Sequence, residues 1–112
     1  MERIESKQKR VFFGYKRSKD GSFELYDWQA QLIRIIYYLY TEENKSLAKI
    51  KTDIEALRAK TPRGSRVWSR QTLLNILTNP HYTGDETYPQ IVTQEQFDTV
   101  QKRLKVGGGN NL

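Results

Sequence analysis

The chain predicts a mainly α domain with one small β-hairpin, an α+β fold of four helices in which the second and third form a helix-turn-helix-like pair with a long connector. Three observations lead there. Apolar residues recur every three to four positions in four separate stretches, as helices with one buried face require. Asp20-Gly21 interrupts an alternating stretch early in the chain, which signals a hairpin turn because Gly tolerates positive φ. Capping and stopping residues stand at the ends of the periodic stretches.

The opening "MERIESKQKR" is polar and has no clear buried face, so it reads as a flexible arm or the frayed end of an incoming helix. "FFGYKRSKDGSFELYD" then reads as the hairpin, with Phe23 and Leu25 alternating with Ser22, Glu24 and Tyr26. Asp27 suits the N-cap of a first helix whose apolar face carries Trp28, Leu32, Ile35, Ile36, Leu39 and Tyr40. A second helix starts at the Ser46 cap, buries Leu47, Ile50, Ile54 and Leu57, and ends before Pro62, since a residue ahead of proline resists the helical region. A third runs from Ser69 to about Thr78, buries Leu73, Ile76 and Leu77, and is stopped by Asn79-Pro80. "HYTGDETYPQIV" reads as turn and short extended chain. Thr93 and Gln96 form a capping-box pattern for a last helix that turns Phe97, Val100 and Leu104 inward. "VGGGNNL" reads as a flexible tail over residues 106–112.

Composition narrows the function classes. At 112 residues the chain is one domain, able to bury roughly 65% of the surface its unfolded form exposes. It has no cysteine, which excludes disulfides and thiolate chemistry, and one histidine, too few for a zinc site. No apolar run approaches the roughly 18 residues of a membrane span. The expectation is a soluble, intracellular domain with no cofactor, no metal and no membrane partner.

The formal charge of +6 is unevenly placed. Residues 1–20 hold seven Lys/Arg against three acids, and residues 57–83 hold five basic residues (Arg58, Lys60, Arg63, Arg66 and Arg70) with no acid. The stretch between them is mildly acidic. Two basic blocks of this kind can assemble one anion-binding face, although charge runs also serve as plain solvated surface. Enzymatic chemistry has little support. There is no Gly-rich phosphate loop, His81 lacks a triad partner or ligand spacing, and Glu42-Glu43 and Asp85-Glu86 read as solvated pairs.

The second and third helices say more. Arg70, Gln71, Leu74, Asn75 and Thr78 occupy the predicted free face of the third helix. A guanidinium suits guanine or phosphate, carboxamides suit adenine, and a methyl-bearing side chain suits thymine. The connector "TPRGSR" would lie beside the backbone of a bound duplex, with Pro62 and Gly64 turning the chain so that Arg63 and Arg66 project together. Trp68 reads as a core plug between helices rather than a stacking platform. The expected DNA-contacting residues are Lys9, Arg10, Lys16 and Arg17 from the first block and Arg63, Arg66, Arg70, Gln71 and Asn75 from the second. The competing reading is a helical protein-interaction module with a basic, solubilising surface.

Several short pieces, in one order, carry a resemblance: Phe13-Gly14-Tyr15, Thr61-Pro62-Arg63-Gly64 with Trp68-Ser69, Ile76-Leu77 with Asn79-Pro80, Tyr82 and Gly84, and Ile91-Val92 with Phe97 and Val100. From about Phe12 to Leu104 the chain resembles the recombinase domain of the large serine recombinases, the phage integrases and transposon resolvases. The resemblance implies double-stranded DNA as partner and a central DNA-binding domain over residues 11–105. It implies a separate N-terminal domain bearing the nucleophilic serine, with residues 1–10 as the linker from it, approaching the minor groove. It also implies a following zinc ribbon, a parent that oligomerises through its other domains around a monomeric fragment, and a bacterial or phage-encoded, nucleoid-associated setting. Two departures stand out. Many relatives carry more Arg or Lys on the third helix, and a longer β-rich insertion where only a few residues separate Gly84 from Pro89.

Overall fold

A computed structural model describes residues 10–110; residues 1–9 of the predicted arm, Lys9 among them, lie outside the described residues. The described residues form an α+β domain of four helices and a two-stranded antiparallel hairpin. The hairpin pairs β1 (Tyr15–Arg17) with β2 (Phe23–Leu25), with Tyr15 opposite Leu25 and Arg17 opposite Phe23. Its loop is a tight turn closed by Gly21 N–H on Ser18 O at 3.0 Å, with Gly21 at φ +90°. That is the three-residue hairpin loop ending in a left-handed residue, and Asp20-Gly21 supplies it as the sequence predicts.

α1 (Asp27–Thr41) is the centre of the domain and packs against α2 (Leu47–Ala56), α3 (Arg70–Leu77) and α4 (Gln94–Asn110). Its start differs from expectation. Tyr26 is the N-cap, held extended by its N–H bond to Gly14 O at 2.8 Å, while Asp27 sits in the first turn. There its charge still complements the positive end of the helix dipole. The buried stripe is also rotated. Ile33 and Tyr37 are fully buried, whereas Trp28 and Ile35 are exposed. Three helices cover α1 and so shift the buried arc toward Ile33 and Tyr37, leaving Trp28 and Ile35 at its edges.

α2 begins at Ser46, whose side chain accepts from Lys49 N as predicted, and buries Leu47, Ile50 and Ile54. Leu57 does not join them; it is 61% exposed. The helix closes with Ala59 N–H on Ile54 O and Arg58 N–H on Glu55 O, and Arg58 takes φ +59°. Leu57 is the C-cap, and past Arg58 the chain turns back so that Ala59 packs partly buried against the core. Arginine fills a position where glycine is usual, so the sequence carries no stop signal there.

α3 starts at the Ser69 cap and buries Leu73, Ile76 and Leu77, as the spacing predicts. A 3₁₀ turn follows at Pro80–Thr83, in the stretch read as turn and short extended chain, with Asn79 Oδ1 accepting from His81 N. Thr93 N donates to Gln96 Oε1 and Gln96 N to Thr93 Oγ1, completing the predicted capping box of α4. Val100 is buried, and Phe97 and Leu104 pack partly buried against the core. The helical backbone continues past Val106 into the glycines.

Two anchors position the rest. Trp68, 1% exposed, plugs the space beside α2: its indole N–H donates to Ala59 O at 3.0 Å and its backbone N–H to Glu55 Oε2 at 2.7 Å. At the other end of the chain, Gly14 passes so close to α1 that its N–H reaches Gln29 Oε1 at 2.7 Å.

Gly14→Ala is expected to destabilise the domain by about 1–3 kcal/mol. The backbone there has φ +108°, and an added Cβ would lie 2.7 Å from Ile33 Cδ1 and 2.9 Å from Ile91 Cδ1. Urea denaturation of the two proteins measures the cost, and equal midpoints would refute it. Glu55 makes stability depend on pH. The Trp68 N–H, and after it Lys51, hold its carboxyl below the usual range. A lowered folded pKa contributes stability that is present above the unfolded value and lost as pH falls through the folded one. Thermal melts in acid are therefore expected to show a loss of Tm below about pH 4.5 that is smaller in Glu55→Gln than in the wild type.

Candidate nucleic-acid interface

Three segments far apart in sequence converge on one concave groove of about 760 Å³. The chain ahead of the hairpin contributes Arg10, Phe12 and Phe13, the α2–α3 connector contributes Arg63 and Val67, and α3 contributes Gln71, Asn75 and Thr78. Arg10 and Arg63 are the charged residues lining it; among the described residues no carboxylate does.

The connector is shaped by a turn with the same hydrogen-bond pattern as the hairpin loop. Thr61 N donates to Ser65 O at 2.7 Å and Gly64 N to Thr61 O at 2.9 Å, with Gly64 at φ +86°. Thr61 is buried, and its hydroxyl accepts from Ser65 N at 3.1 Å. Pro62 supplies the fixed φ that the second residue of such a turn needs, and Arg63 stands exposed at its tip.

Arg63 and Arg66 do not project together. Arg63 lines the groove, whereas Arg66 turns back so that its Nε donates to Arg58 O at 3.3 Å. Val67, next to buried Trp68, is 74% exposed at the groove, and Arg66 lies at a bend just beyond the Thr61–Ser65 turn.

α3 presents Arg70, Gln71, Asn75 and Thr78 to solvent, but Leu74 is half-buried against the core. Gln71 Nε2 donates to Asn75 Oδ1 at 2.8 Å, so the two carboxamides act as one unit on the groove wall. Arg70 is exposed and is not among the groove residues.

The hairpin cations also lie outside the groove lining. Lys16 Nζ lies 3.7 Å from Glu24 Oε2, and Arg17 donates to Gly21 O at 3.0 Å and stacks over Phe23. Of the expected residues, the groove therefore unites Arg10, Arg63, Gln71 and Asn75. Phe12, Phe13 and Val67 line it without having been expected. The signal for Val67 was available, because a buried tryptophan in extended chain exposes its neighbours.

The chain leading to Arg10 is held by tyrosine hydroxyls. Tyr82 donates to Phe13 O at 2.7 Å and Tyr88 donates to Arg10 O. Burial pushes the Tyr82 hydroxyl well above the ordinary phenol range, so it remains a protonated donor. His81 stacks on Phe12 at 5.1 Å, and its Nδ1 lies 2.7 Å from Asp85 Oδ2. That contact holds the Asp85 carboxyl below its usual range. A second depression of about 500 Å³, near Ile35, Tyr38 and Ile91, contains one cation, Arg34, whose Nε is engaged by Ile91 O at 3.0 Å.

Known proteins share this architecture. The family model described as Recombinase matches residues 27–106. A Bacillus subtilis (strain 168) protein named "Putative DNA recombinase" is 27% identical over 103 residues, which is 88% of this chain and 19% of that protein. A chain from "Crystal Structure of a LSR-DNA Complex" superposes with a TM-score of 0.70 at 25% identity, covering 89% of this chain and 33% of its own. A chain from "Sequence Requirements of the Listeria innocua prophage attP site" superposes with a TM-score of 0.67 at 26% identity, covering 87% of this chain and 43% of its own. This chain thus spans about a fifth of the curated relative and less than half of either solved chain. The family match runs from the first turn of α1 to the last described side chain of α4, across every helix that builds the groove, and the chain belongs to the Recombinase family.

Proposed function

We propose that this chain is a duplex-DNA-binding segment of a site-specific recombinase of the large serine type, with the groove as its DNA-contacting surface. The observation that carries the reading is the convergence of Arg10, Arg63 and the Gln71–Asn75 pair on one wall system with no carboxylate among its described lining residues. A polyanion meets two guanidinium groups there without facing a competing negative charge. The DNA complex of the structural relative supports the same reading.

In this reading α3 enters the major groove. Arg63 contacts phosphate, which fixes register and carries no sequence information. The Gln71–Asn75 bond leaves an acceptor on Gln71 Oε1 and a donor on Asn75 Nδ2. An adenine edge offers the complementary pair, the N6 donor and the N7 acceptor. Arg70 reaches DNA only from outside the groove, as a flanking phosphate contact. Strand cleavage belongs to another part of the parent. Ser46 and Ser69 use their hydroxyls as helix caps and Ser65 accepts from Val67 N, so none of these three is placed as a nucleophile beside a base. Oligomerisation through other segments, and a cytoplasmic, nucleoid-associated setting, belong to the same proposal. Among the described residues no helix is long and apolar enough to cross a membrane.

If the two basic blocks neutralise about five phosphates, log K is expected to fall with log salt at a slope near −4 to −5. Arg63→Ala lowers that slope by about one unit, and Arg66→Ala by less, because only Arg63 lines the groove. Fluorescence anisotropy on a duplex across a salt series measures all three. No binding at low salt, or a flat response, would favour the protein-interaction reading.

Gln71→Ala and Asn75→Ala are each expected to cost about 1–3 kcal/mol on a cognate half-site and little on scrambled DNA. Because the two amides bond to each other, the double variant loses scarcely more than the worse single one. Competition binding with cognate and scrambled duplexes decides between this and plain helix surface, which would give equal losses on both.

A further inference from the structure

We infer that Tyr88 is a positioning residue for DNA binding, holding Arg10 at the groove through the backbone carbonyl and the Phe12 ring. The inference rests on the DNA-binding reading of the groove. Arg10 comes from a segment with no regular secondary structure, so nothing in a helix or strand fixes where its side chain points. Three contacts do so instead. The Tyr88 hydroxyl donates to Arg10 O. The Arg10 guanidinium carbon lies 5.0 Å from the centre of the Phe12 ring. Phe12 in turn rests against Tyr88 at 5.3 Å between ring centres and is stacked on His81 at 5.1 Å.

Tyr88 is well placed for this because it is itself immobile. Its ring stacks on Phe23 of the hairpin at 4.8 Å, and Asp85 Oδ1 accepts from its backbone N–H at 2.8 Å. The latch thus runs from the rigid hairpin through Tyr88 to the arm. The physical gain is preorganisation. A long side chain on a free arm must be ordered when DNA arrives, and that ordering opposes binding. With the carbonyl bonded and the guanidinium lying on a ring, much of that ordering is already present in the free protein. The cation–π contact is available to arginine without removing its donors, which point around the guanidinium plane toward phosphate oxygens.

Tyr88→Phe removes the hydroxyl and keeps the ring. It is expected to weaken binding of a mixed-sequence duplex about threefold to tenfold and to reduce the salt slope by part of the roughly 0.9 unit that Arg10→Ala removes. In an Arg10→Ala background the same change should alter affinity by less than about 1.5-fold, since the group it positions is gone. Phe12→Leu disturbs the ring without touching the hydroxyl and should reproduce this Arg10-dependent loss. Thermal melts run alongside separate lost stability from lost positioning: Phe12→Leu carries the test if Tyr88→Phe lowers Tm. Wild-type affinity and slope in both variants, or equal losses with and without Arg10, would overturn the positioning role while leaving DNA binding intact. Failure of the wild-type protein to bind the duplex at low salt would overturn the DNA reading itself, and this inference with it.

Discussion

The whole surface depends on holding an eight-residue helix in place. An isolated helix of that length does not persist in water, because nucleation costs more than two turns of hydrogen bonds return. α3 is stabilised from outside at both ends. Ser69 satisfies Thr72 N at the start. At the end, the Tyr37 hydroxyl reaches the carbonyls of Ile76 and Leu77 at 3.1 and 3.2 Å, and Gln101 Nε2 reaches Leu77 O at 2.7 Å. These are the orphan carbonyls that every helix leaves behind. Here α1 and α4 each supply a donor, and Leu73, Ile76 and Leu77 bury the face between. The exposed wall with Gln71 and Asn75 is therefore oriented by the core and not by the helix itself.

The same device recurs along the chain. Tyr15 donates to Pro89 O at 2.8 Å, Tyr82 to Phe13 O and Tyr88 to Arg10 O. Each ring is buried while its hydroxyl ends on a carbonyl of irregular chain, so one side chain serves both packing and backbone satisfaction. Among the described residues no buried side-chain polar atom lacks a partner. The irregular chain at Arg10 and Phe13, on one side of the groove, is thereby tied to buried rings.

The charge distribution acquires meaning only through this scaffold. Along the sequence, Arg63, Arg66 and Arg70 look equivalent, three arginines within eight positions and no acid between them. In the fold they part: Arg63 lines the groove, Arg66 turns back to Arg58 O, and Arg70 is exposed outside the groove lining. Lys16 and Arg17 are engaged within the hairpin, whereas Arg10 crosses to join Arg63. The chain belongs to the Recombinase family, and its groove is lined by two cations, Arg10 and Arg63, among neutral polar and apolar side chains.

What the sequence determined by itself was everything encoded locally. The Asp20-Gly21 turn, the Ser46 and Ser69 caps, the Thr93–Gln96 capping box and the buried faces of α3 and α4 follow from one-residue conformational preferences and helical spacing. Trp68 as a core plug was legible because a large apolar ring beside two helices has few other places to go. What only the tertiary structure decided was direction. Leu57 lies outside the core at the C-cap of α2, where the chain turns at Arg58 in a left-handed conformation that arginine does not advertise. Ile33 and Tyr37 replace Trp28 and Ile35 in the core because three neighbours, not one, cover α1. Arg63 separates from Arg66 because Arg63 stands at the tip of the Thr61–Ser65 turn, whereas Arg66 lies beyond it, where its Nε is engaged by Arg58 O. Spacing along a chain fixes which residues can share a face, but which face is covered depends on elements distant in sequence, and no local preference contains that information.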